Sequence, residues 1–476
     1  MSLKNKVVSG LKWSLYAKVI SQLFSWVSTF IVIRILTPED YGIMALAMMF
    51  VILGSLFSSG GFVTCLVKQH KRDYKLSSQI FSLSLIINII VSLLVCFFAS
   101  EIASFYANEA LIDVLIVMAV GNIIHSFIIV PSAYLDIDMN FKSKAFSDSG
   151  SALVAAMVSL FLAYNDYGYW ALVYAQIAMK VFQVLGYQYS SSSRYFFTLN
   201  FSGSLAPLKF AYHNQLNGLL WFSYNQMDVI LIGRFLGVGM LGVYNVAKDI
   251  AAMPFLKVAA LMNQVGFSAF ASLKEDKSSA DYYLGHSLRL ISLFAFPVFL
   301  GISSISDEII DLLVGEKWAE AGPIIQMLCF VFPFRMMNTN IQLYVNGLNK
   351  PIFNVHNTLI ISIALVSLLF WATQISLVVT AMAWAVGFAS VFCIILLRLK
   401  IHFNLSSGIV LSWGAPFVVS FCMWLTLLYI DIYLISMQEL SIVLQMFIKI
   451  FIGAFFIVIT YYLFFKNEIL GLLKKT

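Results

Sequence analysis

Eleven of the ionisable side chains in this 476-residue sequence stand out inside runs too apolar to face water: Lys18, Arg34, Lys180, Asp228, Arg234, Lys248, Asp249, Lys257, Arg289, Arg335 and Lys449. Nine are cations and two are anions. A charge surrounded by hydrocarbon is expensive, so such residues face a water-filled cavity, a partner or a helix end. Gathered into one cavity, this positive excess suits an anionic group such as a pyrophosphate. The candidate binding set is Lys18, Arg34, Arg234, Lys248, Lys257 and Arg335. Lys18, Lys257 and Arg335 lie deeper in their runs, where snorkelling to headgroups is harder. Arg34 and Arg234 stand at the ends of theirs, so snorkelling is an equal reading there. Arg289, near a run's inner edge, and Lys449, in the last run, are expected to snorkel. Asp228 and Asp249 are the candidate ion-coupling or structural acids. Asp228 with Lys248 or Lys257 across a helical hairpin would be a buried pair.

Amides add to the inventory. The run around Asp228 carries His213, Asn214, Gln215, Asn217, Asn225 and Gln226, and a later run carries Asn338, Asn340 and Gln342. Such groups hydrogen-bond sugar hydroxyls, but they also join helices to each other.

Other chemistries find no support. Cys65, Cys96, Cys329, Cys393 and Cys422 all lie in apolar runs without a C-x-x-C pair, and read as buried free thiols. Gly237-Val-Gly239-Met-Leu-Gly242 matches G-x-G-x-x-G, but no strand precedes it and no soluble unit surrounds it. Gly233 and Gly237 make a G-x-x-x-G, a weak helix-packing signal. With no H-E-x-x-H, Walker A or G-x-S-x-G motif, the expectation is a chain without catalytic residues, metal or bound cofactor, and not a primary pump.

The elements that must position these residues follow from composition. The chain is 61% hydrophobic and 11% charged, with mean hydropathy +0.90. Soluble domains carry about 25% charged residues. The net charge of +6 resides in short loops rather than in a basic stripe, so nucleic acid is not indicated. Spanning a bilayer takes about 20 mostly apolar residues. That rule gives fourteen candidate spans, at roughly 13–36, 41–66, 80–103, 111–135, 147–165, 168–189, 210–236, 241–270, 284–305, 322–346, 352–373, 376–397, 408–430 and 442–465. The first is too long for a signal-peptide core and no cleavage site follows, so it reads as a retained span.

Orientation follows from the positive-inside rule. With the N-terminus cytoplasmic, nineteen Lys and Arg fall in cytoplasmic segments, among them Lys68, Lys71, Arg72, Lys142, Lys274, Lys350, Arg398 and Lys400. Only Lys317 falls opposite. The alternation stays clean to the end, which supports an even span count and two cytoplasmic termini. Residues 306–320 read as a short amphipathic helix on the outer side, anchored at the interface by Trp318.

A repeat organises the spans. Residues 34–47 (RILTPEDYGIMALA) and 234–247 (RFLGVGMLGVYNVA) align without a gap at an offset of 200: Arg34 with Arg234, Leu36 with Leu236, Gly42 with Gly242, Ala47 with Ala247. Six spans separate the copies, so the halves run parallel, related by an axis along the membrane normal. A weaker echo links the Gly168–Val173 stretch with Val378–Trp384. The expected fold is an all-α polytopic membrane protein of about fourteen helices: a six-helix lobe at 1–205, a second at 206–402, and two further helices with a cytoplasmic tail at 403–476.

Several of these segments resemble one family. They are Arg34-Ile-Leu-Thr-Pro-Glu-Asp-Tyr-Gly42, Asn225-Gln-Met-Asp228 running on to Gly233-Arg-Phe-Leu-Gly237, Leu241-Gly-Val-Tyr244-x-x-Ala247, Gly315-Glu-Lys-Trp318-x-x-Ala321 and Phe141-Lys142. Together they resemble Wzx-type polysaccharide flippases, the polysaccharide-transport branch of the multidrug/oligosaccharidyl-lipid/polysaccharide exporter (MOP) superfamily, over roughly residues 10–400. The resemblance implies a non-enzymatic transporter of the bacterial inner membrane. It would flip an undecaprenyl-pyrophosphate-linked oligosaccharide repeat unit from the cytoplasmic to the periplasmic leaflet by alternating access. The product would serve O-antigen (lipopolysaccharide), capsule or exopolysaccharide biosynthesis, with a polysaccharide polymerase and a chain-length regulator as further partners. A proton or sodium gradient would be the coupling source. The site residues still rest on the charge argument. Three alternatives stay open: a lipid II flippase, an ion-coupled multidrug antiporter of the same fold, and a membrane polysaccharide polymerase. Excess buried cations disfavour the antiporter, and the absence of a long basic outer loop disfavours the polymerase.

Overall fold

A computed structural model gives the structure of residues 22–59, 61–68, 71–202, 205–436 and 441–473, with side chains described for all of these except 58–59, 205–217, 264–265, 433–436 and 465–473. Every regular element among them is helical. They are α1 (Gln22–Ile35), α2 (Pro38–Ser59), α3 (Phe62–Lys68), α4 (Tyr74–Phe97), α5 (Ala99–Phe105), α6 (Ala110–Ile137), α7 (Phe141–Tyr164), α8 (Trp170–Ser191), α9 (Leu205–Phe235), α10 (Val238–Ser272), α11 (Lys277–Ser304), α12 (Ser306–Ile309), α13 (Ala321–Leu328), α14 (Val331–Gly347), α15 (Pro351–Ala372), α16 (Leu377–Phe403), α17 (Ser407–Val410), α18 (Gly414–Ser436) and α19 (Ile442–Leu473). Ten of the described helical segments are long and apolar enough to cross a membrane, and the first predicted span lies partly outside the described residues. This is a multi-pass, all-α membrane protein.

Local sequence sets the helix ends. Asp73, Asn140, Asp276 and Ser376 each accept from a backbone N–H two or three residues on, capping α4, α7, α11 and α16. Pro351 opens α15, where its missing N–H costs nothing. Pro131, Pro254 and Pro297 lie inside α6, α10 and α11. Each removes a helical donor, a loss that neighbouring helices make good in membrane helices.

The two copies of the repeat close their turns by different chemistry. Before α2, Thr37 and Asp40 form a reciprocal capping box: Thr37 N–H donates to Asp40 Oδ2 at 2.8 Å, and Asp40 N–H donates to Thr37 Oγ1 at 3.3 Å. Before α10 the same bend is made by Gly237 at φ 89°, its N–H closing on the Ile232 carbonyl at 3.1 Å. The first turns of α2 and α10 then cross at backbone contact. A Cβ on Gly42 would collide with the Val238 carbonyl, and a Cβ on Gly242 with the Pro38 carbonyl. Pro38 and Val238 are themselves repeat partners, so the crossing is reciprocal, as a local two-fold requires.

Contacts divide the chain into two compact units, residues 1–242 and 243–476. In the first, α6 is central and packs on α2, α3, α4, α5 and α8, while α7 packs on α8 and α9 on α2. Phe62, Leu66, Ile80, Phe81, Ile129 and Tyr134 form part of its core. In the second, α11 packs on α13, α14, α17, α18 and α19, and α16 packs on α13, α14 and α15. A layer of Phe296, Phe334, Phe392, Trp413 and Phe417 rings lies among these helices. Large apolar side chains such as Leu93, Phe161, Ile363 and Phe451 are exposed, as lipid-facing helix surfaces are.

Three expectations are corrected. Residues 306–320 are not one amphipathic helix: α12 is followed by a π-turn over Ile310–Val314, Gly315 at φ 104° and a 3₁₀ turn over Glu316–Trp318. Trp318 is 0% exposed and belongs to the core, not the interface. Lys449 does not snorkel: it is 2% exposed and pairs with Glu308 and Asp431. Its amine also donates to the Ser304 carbonyl at 3.3 Å, so α19 is joined to α18 and to the α11–α12 corner. The cysteines are free, but only Cys65 and Cys329 are buried.

Candidate substrate site

The most concentrated arrangement around a candidate cation lies in the second unit. Arg335, on the second turn of α14, is half-buried. Its guanidinium carbon stands 5.4 Å from the Phe255 ring of α10, 5.9 Å from Phe332 and 5.9 Å from Trp384 of α16. Guanidinium over aromatic faces is attracted by about 0.5–2 kcal/mol per pair, more when desolvated. Three rings therefore hold the charge in place. The Trp384 indole Nε1 is buried and has no hydrogen-bond partner among the described residues. A buried donor left unmade costs about 1–3 kcal/mol. Cation, ring faces and an unused N–H together match a ligand with anionic oxygens and sugar hydroxyls.

Helix α10 supplies the neighbouring charges. Lys248 is half-buried with Nζ 5.8 Å from the Tyr244 ring, and Asn245 donates to exposed Asp249 at 3.4 Å. Lys257, two residues beyond Phe255, is exposed. The amides of α14 serve differently from sugar contact where their partners are defined: Asn340 Nδ2 donates to Ser287 Oγ on α11 at 2.7 Å.

In the first unit the cations are placed otherwise. Arg234 Nη1 donates to the Phe105 carbonyl at 2.7 Å and its guanidinium lies 4.8 Å from the Phe105 ring, fastening the end of α9 to the end of α5. Arg34 is exposed at the end of α1. Asp228 is 0% exposed, its carboxylate accepting from the Val229 N–H at 2.9 Å. Lys18 lies outside the described residues.

Some residues of the site and its surroundings carried little or no signal in the sequence. Phe255, Phe332 and Trp384 are scattered over three helices, and only Trp384 carried any signal, as an echo of the repeat. Asp148, just inside the fifth predicted span, accepts from Tyr187 OH at 2.6 Å and Gln183 Nε2 at 2.8 Å, joining α7 to α8. Lys180, one of the charges named from the sequence, is only 8% exposed and donates to the Gly121 carbonyl at 3.2 Å.

Residues 31–323 match the family described as polysaccharide biosynthesis protein. The chain belongs to that family. The resemblance to Wzx-type polysaccharide flippases read from the sequence agrees with this family match and with the similar proteins that follow. It is 23% identical over 342 residues to the lipopolysaccharide biosynthesis protein WzxC of Escherichia coli K12, covering 70% of this chain and 68% of that one. It is 24% identical to the teichuronic acid biosynthesis protein TuaB of Bacillus subtilis, covering 71% of each. With the succinoglycan biosynthesis transport protein ExoT of Rhizobium meliloti the figure is 25%, over 68% and 65% of the two chains. Among solved structures, the lipid II flippase MurJ in an inward closed conformation shares the fold with TM-score 0.75 at 15% identity, over 95% of this chain and 99% of that one. An inward-facing multidrug resistance MATE family transporter of the MOP superfamily follows at TM-score 0.59 and 15% identity, over 86% and 95%. Of these similar proteins, ExoT is named as a transport protein, MurJ as a flippase and the MATE protein as a transporter.

Proposed function

We propose that this chain flips an undecaprenyl-pyrophosphate-linked oligosaccharide repeat unit from the cytoplasmic to the periplasmic leaflet, for surface polysaccharide biosynthesis. The observation that carries the reading is Arg335 held by three rings beside a Trp384 N–H that has no partner among the described residues. Relatives named for lipopolysaccharide, teichuronic acid and succinoglycan biosynthesis support the substrate class. In this reading the chain crosses the inner membrane fourteen times with both termini cytoplasmic, as the distribution of Lys and Arg favours.

Arg335 meets the anionic headgroup and the rings present flat apolar faces to sugar C–H groups. The polyprenyl tail stays in lipid, where it loses nothing. Alternating access of the two six-helix lobes then re-exposes the headgroup on the far side, with an ion gradient as the coupling source. An antiporter of cationic drugs is the weaker reading, because Arg335, Lys248 and Lys257 would repel such a substrate. The test is deletion of the gene, followed by extraction of polyprenyl-linked oligosaccharides and a blot for surface polymer. Lipid-linked units accumulating with loss of polymer supports the proposal. Intact polymer with altered drug sensitivity overturns it.

A further inference from the structure

A basic cavity lies in the same unit, at the other end of α14. It encloses about 550 Å³ between the α14–α15 turn and the last turns of α16, and is lined by Lys350, Phe353, His356, Arg398 and His402, with Asn349, Pro351, Ile352 and Ile401. It is distinct from the Arg335 site: fourteen residues of α14 and its turn separate Arg335 from Asn349, about 20 Å at 1.5 Å per residue.

Its chemistry follows from two helix faces. On α16, Arg398, Ile401 and His402 recur at helical spacing; on α15, Ile352, Phe353 and His356 do the same. Arg398 Nη1 donates to Asn357 Oδ1 at 2.5 Å and its guanidinium lies 5.1 Å from the Phe353 ring, which fixes it. His402 stacks on Phe353 at 5.2 Å, and Lys350 Nζ stands 4.8 Å from the Phe403 ring. Lys277 donates to the Phe403 carbonyl at 2.7 Å. Among the described residues, no acid lines the cavity. Convergent nitrogen donors without a carboxylate are the arrangement that takes phosphate. Yet Ile352 and Ile401, also lining it, stay 69% and 76% exposed. Free phosphate has no use for exposed isoleucines, whereas a phosphate carried on acyl chains covers both.

We propose that this cavity binds the phosphate of an anionic glycerophospholipid, its acyl chains lying over Ile352 and Ile401. The face carrying Lys274, Lys277, Lys350 and Lys400 is the cytoplasmic one by charge, so the lipid belongs to the cytoplasmic leaflet. The site is separate from the flippase site and stands whether or not that reading holds.

The experiment uses the full chain in neutral detergent, titrated with dioctanoyl phosphatidylglycerol and read as a rise in Tm. Dioctanoyl phosphatidylcholine, inorganic pyrophosphate and geranyl pyrophosphate are the comparison probes. The expected result is a rise with phosphatidylglycerol alone. Lys350→Glu with His402→Glu, both on exposed side chains, weakens its apparent affinity by about tenfold or more, from loss of roughly 1 kcal/mol per basic contact. Lys274→Glu, on the same face outside the cavity, leaves it unchanged. Equal weakening by Lys274→Glu reduces the effect to general surface charge and overturns the proposal. A response to inorganic pyrophosphate that equals that to phosphatidylglycerol makes the ligand a free phosphate, and overturns it too. A response to geranyl pyrophosphate alone, lost with Lys350→Glu and His402→Glu, gives the cavity to a polyprenyl headgroup instead and overturns the phospholipid assignment.

Discussion

Gly42 and Gly242 are held face to face: a Cβ built on Gly242 would lie 2.9 Å from the Gly42 amide nitrogen while clashing with the Pro38 carbonyl. Both obstacles are backbone, so neither can rotate away. Gly242→Ala and Gly42→Ala are each expected to cost at least about 1–3 kcal/mol, as overpacking does. Gly239→Ala is the control, since nothing lies within 4 Å of its added Cβ. Melting temperatures of the purified variants check this, and a Gly242→Ala protein as stable as the Gly239→Ala one would sink the crossing.

Arg335 and Trp384 separate binding from folding. Trp384→Phe keeps an aromatic ring but removes an N–H that has no partner among the described residues. Its stability should hold or rise slightly, while surface polymer in a complemented deletion strain falls. Arg335→Ala should lower polymer at unchanged protein level, and Arg335→Lys should rescue only in part because an ammonium stacks less well on rings. Wild-type export by both Trp384→Phe and Arg335→Ala would remove this site from the transport path.

The Lys449 triad makes a prediction of the opposite kind. Lys449→Met leaves Glu308 buried without its cation and should cost about 3–5 kcal/mol. Adding Glu308→Gln and Asp431→Asn should recover much of that loss, because burying uncharged groups is cheaper than burying unpaired charges. Thermal unfolding of the single and triple variants reads the difference. An undiminished Tm in Lys449→Met would show that the pairs contribute nothing.

Acid should loosen one helix start. Hydrogen bonds from the Ser279 hydroxyl and N–H, and from Ser278, hold the exposed Asp276 carboxyl below the usual carboxylate range. A depressed folded pKa contributes stability above the unfolded value and loses it as pH falls through the folded one. Asp276→Ala should therefore be less stable than the wild type at neutral pH. The gap should close only below the ordinary aspartate range. A gap independent of pH would mean that the carboxylate charge plays no part in the cap.

Much of this architecture is legible in sequence, for a physical reason. Hydrocarbon permits only helices with satisfied backbones, so long apolar runs fix element type and direction. The repeat was legible because its glycines answer a backbone constraint that no side chain can meet. What stayed hidden depended on tertiary placement. Lys449 looks like any lysine in an apolar run until Glu308 and Asp431 arrive from 141 and 18 residues away. Trp318 sits in an acidic, amphipathic-looking stretch, but Gly315 turns the chain so that its indole enters the core. The Arg335 box draws on positions 255, 332 and 384, whose ring types recur throughout so aromatic a chain.

The two solutions to the repeat turn, a Thr37–Asp40 capping box in one copy and a left-handed Gly237 in the other, have an evolutionary consequence. Each half of the duplication satisfies its own turn with residues the other half does not use. Neither copy is therefore chemically bound to the sequence of its twin, and drift in one needs no matching change in the other. Only the two crossing glycines are tied, because each faces the backbone of the opposite copy. In an ancient duplication of this kind, ancestry survives longest where the chain has no side chain at all.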